Sequence, residues 1–112
     1  MRPDKVLSML GIAAKSGSVV SGEFSTEKAV KEGRAYLVIV AGDASENTKK
    51  NFRNMCEYHK VPICFYSDKE SLGHAMGKQF RASLAVLDEG FAKGILKNIQ
   101  EMETSTDRNT IA

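Results

Sequence analysis

Val19-Val20-Ser21-Gly22-Glu23-Phe24-Ser25-Thr26-Glu27-Lys28-Ala29-Val30 changes its periodicity at Gly22. Two β-branched residues lead into Ser21-Gly22, and a helical pattern follows at once. That reads as a strand edge, a tight turn and a helix N-terminus. Such a terminus presents backbone N–H groups without intrahelical partners and a partial positive charge. It is a ready site for a phosphate or a polar base edge. Thr26, Ala29, Val30 and Gly33 fall on one face of this helix, and Phe24, Lys28 and Lys31 on the other. Two readings of the outer face stand. A ring beside lysines suits nucleic acid, the ring for a base and the lysines for phosphates. Equally, Phe24 folds back as a hydrophobic staple and the lysines are simply solvated.

Working outward, the spacing predicts a first helix from about Pro3–Asp4 to Lys15, with Gly17 past its end as a left-handed cap. After the second helix, from about Glu23 to Glu32, Ala35 to Ala41 is the strongest strand. It is apolar without alternation, as expected of a strand covered on both faces. A third helix over Glu46–His59 places Phe52, Met55, Cys56 and His59 on one face. Pro62 stops it, and Val61–Tyr66 is the next strand. Asp68 caps a short helix over Lys69–Met76, Gly77–Arg81 is a loop, and Ala82–Leu87 is another buried strand. Asp88-Glu89 open the last helix, with Phe91, Ile95, Leu96 and Ile99 at core spacing. The alternation of helices and strands with short connections means α/β, a central sheet with helices on both faces. Residues 1–101 read as one domain, and 102–112 as a polar tail expected to be disordered.

A chain of 112 residues can bury a real core as one domain. Its apolar runs are too short to span a bilayer, and no signal-peptide core follows Arg2 and Lys5, so a cytoplasmic location is expected. The net charge of +2 permits nucleic acid without arguing for it. The two cysteines, Cys56 and Cys64, lack redox or zinc spacing and are expected to be reduced thiols.

The enzyme motifs fail on inspection. Gly73-His-Ala-Met-Gly77-Lys78-Gln79 has three residues between its glycines where a phosphate loop needs four. It also has Gln79 where the magnesium-binding Ser or Thr belongs. Cys56, His59, Cys64 and His74 are irregularly spaced for zinc, and two buried thiols with surface histidine explain them better. No serine sits in a nucleophile elbow, and no carboxylate pair is set for acid–base work. Neither an enzyme nor a cofactor is expected. A second positive element remains: Gly77-Lys78-Gln79-Phe80-Arg81 sets two cations around an aromatic ring before a buried strand. It is either a partner for the Gly22 turn or a solvated connection with Phe80 in the core.

Gly22-Glu-Phe-Ser-Thr-Glu-Lys28-Ala-Val, Leu37-Val-Ile-Val-Ala41 with Asp43-Ala44, and Leu72-Gly73-His-Ala-Met-Gly77 together resemble the kink-turn-binding ribosomal protein family of the L-seven-Ae and L-thirty-e type. Val19-Val-Ser-Gly-Glu23, Asp43-Ala-Ser45 with Asn47-Thr48, and Val61-Pro62 are similar to its bacterial YlxQ-like branch. The resemblance covers about Asp4 to Ile99. It implies a three-layer α-β-α sandwich with a four-stranded mixed β-sheet. It also implies binding to kink-turn RNA, a sharply bent helix–bulge–helix with tandem G·A pairs. Gly22 matches the glycine that lets the bent strand approach, and Lys28 the lysine that contacts G·A bases or phosphate. Gly77 to Ala82 match the loop over the flipped-out bases. The chain departs from the family pattern with Glu23 for Thr, and Phe24 and Ser25 for Asn and Glu. That shifts recognition towards stacking and phosphate contacts and away from base edges.

The expected RNA surface is therefore Ser21, Gly22, Glu23, Phe24, Ser25, Lys28 and Lys31, with Gly77, Lys78, Gln79, Phe80 and Arg81. Ribosomal RNA, ribonuclease P RNA and a riboswitch leader are all compatible partners, and a monomer is expected. The rival reading is a protein–protein adaptor on the same fold, with Phe24 as its anchor.

Overall fold

A computed structural model describes residues 4–111, with side chains through Met102. The elements run α1 (Lys5–Lys15), β1 (Val19–Ser21), α2 (Glu23–Lys31), β2 (Leu37–Val40), α3 (Glu46–His59), β3 (Ile63–Phe65), α4 (Lys69–Ala75), β4 (Ser83–Val86) and α5 (Glu89–Ile111). The order of elements is the one the sequence predicts, and β2, β3 and β4 are each shorter at their ends. α5 continues helically past Met102 to Ile111, where the sequence reading sets a disordered tail at 102–112. The side chains beyond Met102 lie outside the described residues.

The four strands form one sheet in the order β1-β4-β2-β3. β4 pairs antiparallel with both β1 and β2, matching Ser21 with Leu84 and Val40 with Ser83. β3 pairs parallel with β2, matching Val38 with Ile63. It follows that β1, β2 and β3 all point the same way. The two central strands, β4 and β2, are buried at every position, which accounts for their nearly unbroken apolar sequence. The edge strands β1 and β3 are only partly covered.

Helices close both faces. α2 and α3 pack together on one side, while α1 packs against α4 and α5 on the other. The crossovers β1–α2–β2 and β2–α3–β3 join parallel strands and step the same way across the sheet. Handedness therefore puts both helices on one face. The result is a three-layer α-β-α sandwich on a mixed four-stranded sheet. Its core joins Val6 and Leu10 of α1, Val30 of α2, Phe52 and Cys56 of α3, Leu72 of α4 and Ile95 of α5 to the central strands. Truncating one of the larger of these side chains to alanine costs about 2–5 kcal/mol.

On the face of α3 that Phe52, Met55, Cys56 and His59 share, Phe52 and Cys56 are buried, Met55 is half-buried and His59 is exposed. One packing expectation needs correcting. Cys64 is half-buried rather than buried, because β3 is an edge strand. Cys56 is fully enclosed, and burial pushes its thiol up to about 11, which suppresses thiolate chemistry. No described helix is long and apolar enough to cross a membrane.

Candidate nucleic-acid interface

Because β1, β2 and β3 share a direction, α2, α3 and α4 all begin at the same end of the sheet. Four of the five helix starts are capped by a side chain. Asp4 accepts from Leu7 N–H at the start of α1, Ser45 from Thr48 N–H at α3, Asp68 from Ser71 N–H at α4, and Asp88 from Phe91 N–H at α5. At α2 the capping position is Gly22, and no side chain caps that end. The first-turn N–H groups and the positive end of the dipole are left for solvent or for a bound anion.

Gly22 has φ 96° and ψ 156°, a region open essentially to glycine alone. Its N–H donates to Ser83 O at 2.9 Å, continuing the β1–β4 pairing into the turn. One turn into α2, the buried Thr26 hydroxyl accepts from Ser83 Oγ at 3.4 Å. The helix start is thus pinned to β4, and the loop before β4 arrives beside it.

That loop is shaped from below. Gly73 in α4 has no room for a side chain: a Cβ there would lie 2.1 Å from Gln79 O and 2.9 Å from Phe80 Cα. Lys78 N–H donates to Gly73 O at 2.8 Å, and Arg81 N–H to Lys69 O at 3.0 Å. Gly77 turns the chain with φ 70°. The Arg81 guanidinium then reaches across to β1. Its Nε donates to Ser21 Oγ at 3.1 Å and its terminal nitrogen to Phe80 O at 2.7 Å.

The two aromatic rings are outside. Phe24 is 76% exposed and Phe80 60% exposed. Neither the staple reading of Phe24 nor the core reading of Phe80 describes this molecule. Lys28, Lys78 and Gln79 are exposed, Glu23 is exposed on the first turn, and Ser25 is half-buried. Lys31 is different. It is held by Glu27 at 2.7 Å, so its charge is matched within α2. Lys28 has no ion pair among the described residues.

Sequence reasoning names the two halves of this surface and misses what joins them. Gly73 stands in the chain within a failed phosphate-loop motif and within the stretch that carries the family resemblance, and neither points to its role, which is close backbone approach. Ser83 is hidden inside an apolar strand, although a polar residue there must find a partner.

Residues 4–96 match the sequence model of the Ribosomal protein L7Ae/L30e/S12e/Gadd45 family. The chain is 40% identical over 88 residues to the RNA-binding protein YlxQ of Bacillus subtilis (strain 168), covering 79% of this chain and 88% of that protein. It is 37% identical over 89 residues to the RNA-binding protein YlxQ of Enterococcus faecium, covering 80% and 85%. Among solved structures, a protein of unknown function from Bacillus halodurans C superposes with a TM-score of 0.84 at 35% identity, over 88% of this chain and 99% of that one. The Giardia lamblia 15.5kD RNA binding protein shares the fold, with a TM-score of 0.73 at 21% identity over 90% and 92%. With a match that runs through all nine elements, from α1 into α5, this chain belongs to the Ribosomal protein L7Ae/L30e/S12e/Gadd45 family.

Proposed function

We propose that this chain is an RNA-binding protein that takes a bent, kink-turn-like RNA at the start of α2 and on the loop before β4. The observation that carries this reading is the uncapped helix end at Gly22, with Arg81 tied beside it through Ser21 Oγ at 3.1 Å. Each part has a task. The open N–H groups and Gly22 allow close approach of a phosphate strand. Lys28, Lys78 and Arg81 neutralise phosphates, and Phe24 and Phe80 supply faces for unstacked bases. Glu23 sits in the first turn, where its charge favours the helix dipole and opposes an approaching phosphate. Lys31, already matched by Glu27, contributes at the margin. The names of the YlxQ relatives support RNA as the partner. Ribosomal RNA and ribonuclease P RNA are candidate targets, bound by a cytoplasmic monomer.

The test is filter binding of a kink-turn hairpin and a straight duplex across a salt series. Lys28→Ala and Arg81→Ala should each weaken hairpin binding and lower the salt slope by roughly 0.7–0.9 for each phosphate no longer neutralised. Parent-like affinity and slope in both variants would sink the reading.

A further inference from the structure

The outer face of α3 is built unlike a merely solvated helix. Asn47, Asn51 and Asn54 recur at one-turn spacing and lead to Tyr58, which is 81% exposed. Asparagine is a weak helix former in helix interiors, because its carboxamide competes for the backbone. Here none of the three carboxamides hydrogen-bonds within the described residues. Asn47 lies in the first turn of α3, but Asn51 and Asn54 break that local preference in the helix interior with no packing gain, as residues of functional surfaces do.

Cations flank this stripe. Lys50 and Arg53 are exposed and make no ion pair among the described residues. The Arg53 guanidinium lies over the Phe65 ring, 5.1 Å from its centroid, so it is held in place on the β3 side. α2 packs along α3, and its Lys28 is likewise unmatched. Glu46 is answered by Lys49 at 3.7 Å, and Glu57 leaves the flank with a net positive charge.

We propose that this face of α3 is a second RNA surface, which lies along the minor groove of a double-helical stem leaving the segment bound at Gly22 and Arg81. The inference rests on the function proposed above and adds where the flanking duplex goes. A-form RNA presents a wide, shallow minor groove lined with 2′-hydroxyls, which both donate and accept. Carboxamides match that chemistry because they also do both. Cations beside the stripe match the bordering phosphates. The 14 residues of α3 span about 21 Å, enough to follow a groove across several base pairs. Since α3 starts at the same end of the sheet as α2, a stem leaving that end meets it directly. A protein partner would call for clustered apolar anchors; here Tyr58 meets the His59 ring edge-on, 5.0 Å between centroids, and the Phe65 ring is covered by the Arg53 guanidinium.

The experiment compares two probes on the full chain. One is a kink-turn hairpin with stems of about 4 base pairs, the other the same hairpin with one stem extended to about 12. The parent should bind the extended probe several-fold more tightly. Asn51→Ala/Asn54→Ala should lose that gain and bind the short probe as the parent does. Alanine is the better helix former, so this variant's melting temperature should hold or rise, which separates binding from folding. Lys50→Ala/Arg53→Ala should lower the salt slope on the extended probe alone, by roughly 0.7–0.9 per phosphate. No gain from the longer stem, or parent-like binding of it by both variants, overturns the inference and leaves the face to a protein partner. If the parent binds neither probe, the function proposed above falls as well.

Discussion

Arg81 and Ser21 are sixty residues apart in the chain, and the Arg81 Nε donates to Ser21 Oγ at 3.1 Å. The bond links the loop before β4 to the strand that leads into the uncapped helix. It holds a planar cation in one orientation beside Gly22, where a flexible lysine would wander. Ser21→Ala removes the acceptor and keeps the charge. RNA affinity should fall about 2–10-fold, the equivalent of one hydrogen bond of about 0.5–1.5 kcal/mol, with an unchanged salt slope. Arg81→Lys should behave similarly. A fluorescence titration at several salt concentrations checks both.

Gly22→Ala tests backbone conformation in isolation. A Cβ at Gly22 meets nothing within 4 Å, so no clash complicates the result. The cost is conformational, about 1–3 kcal/mol, because the φ of 96° is nearly closed to other residues. Urea unfolding should show that loss, and RNA binding should weaken as the helix start shifts. Unfolding indistinguishable from the parent would mean that this turn is not held as described.

Gly73→Ala should act through space. The new methyl would overlap the backbone of Gln79 and Phe80 and push the loop outward. Overpacking of this kind costs about 1–3 kcal/mol. The distinctive outcome is remote: RNA affinity should fall although Gly73 itself is buried beneath the loop. Heteronuclear NMR should place the largest shifts at residues 78–81.

The molecule should lose stability in alkali. Burial raises the Cys56 thiol from 9.0 to about 11. Tyr66 is raised above 10.0 by burial, and then by Asp4, whose Oδ2 accepts from the Tyr66 hydroxyl at 2.7 Å. In both cases the folded state holds its proton more tightly than the unfolded state. Their contribution is therefore complete below pH 9 and declines as pH rises from 9 through 11 and above. Tyr66→Phe should flatten the decline above pH 10, and Cys56→Ala the part between 9 and 11. Thermal melts from about pH 8 to about pH 11 read this directly.

Lys60→Gly should stabilise the protein. Lys60 ends α3 in the left-handed region at φ 58°, where glycine carries no Cβ penalty. A gain of about 0.5–1 kcal/mol is expected, or a rise of roughly 2–8 °C in melting temperature. Lys60 lies outside the proposed site, so hairpin affinity should not change.

Some of this was legible in the chain and some was not. The apolar runs at Leu37–Val40 and Ser83–Val86 announced strands covered on both faces, and those strands prove central. Gly22 and the outer face of α2 were readable because a helix start and a 3.6-residue period are local. Whether Phe24 and Phe80 lie inside or out was not readable, since both answers satisfy the same local pattern. The pairing of Arg81 with Ser21 was beyond reach for a different reason. It depends on β4 crossing back between β1 and β2, and no residue near Arg81 encodes that. Lys31 carried the opposite lesson: Glu27, one turn earlier, was in plain view and already matched its charge.

The insertion of β4 between β1 and β2 also has a consequence during synthesis. The strand made last is the one that both earlier neighbours need. A nascent chain emerging from the ribosome has no sheet joining β1 to β2, and no Arg81 to lie beside Ser21, until residues 81–86 are out. The surface we assign to RNA is thus assembled only after β4 has emerged, so shorter nascent chains have no competent form with which to occupy the target.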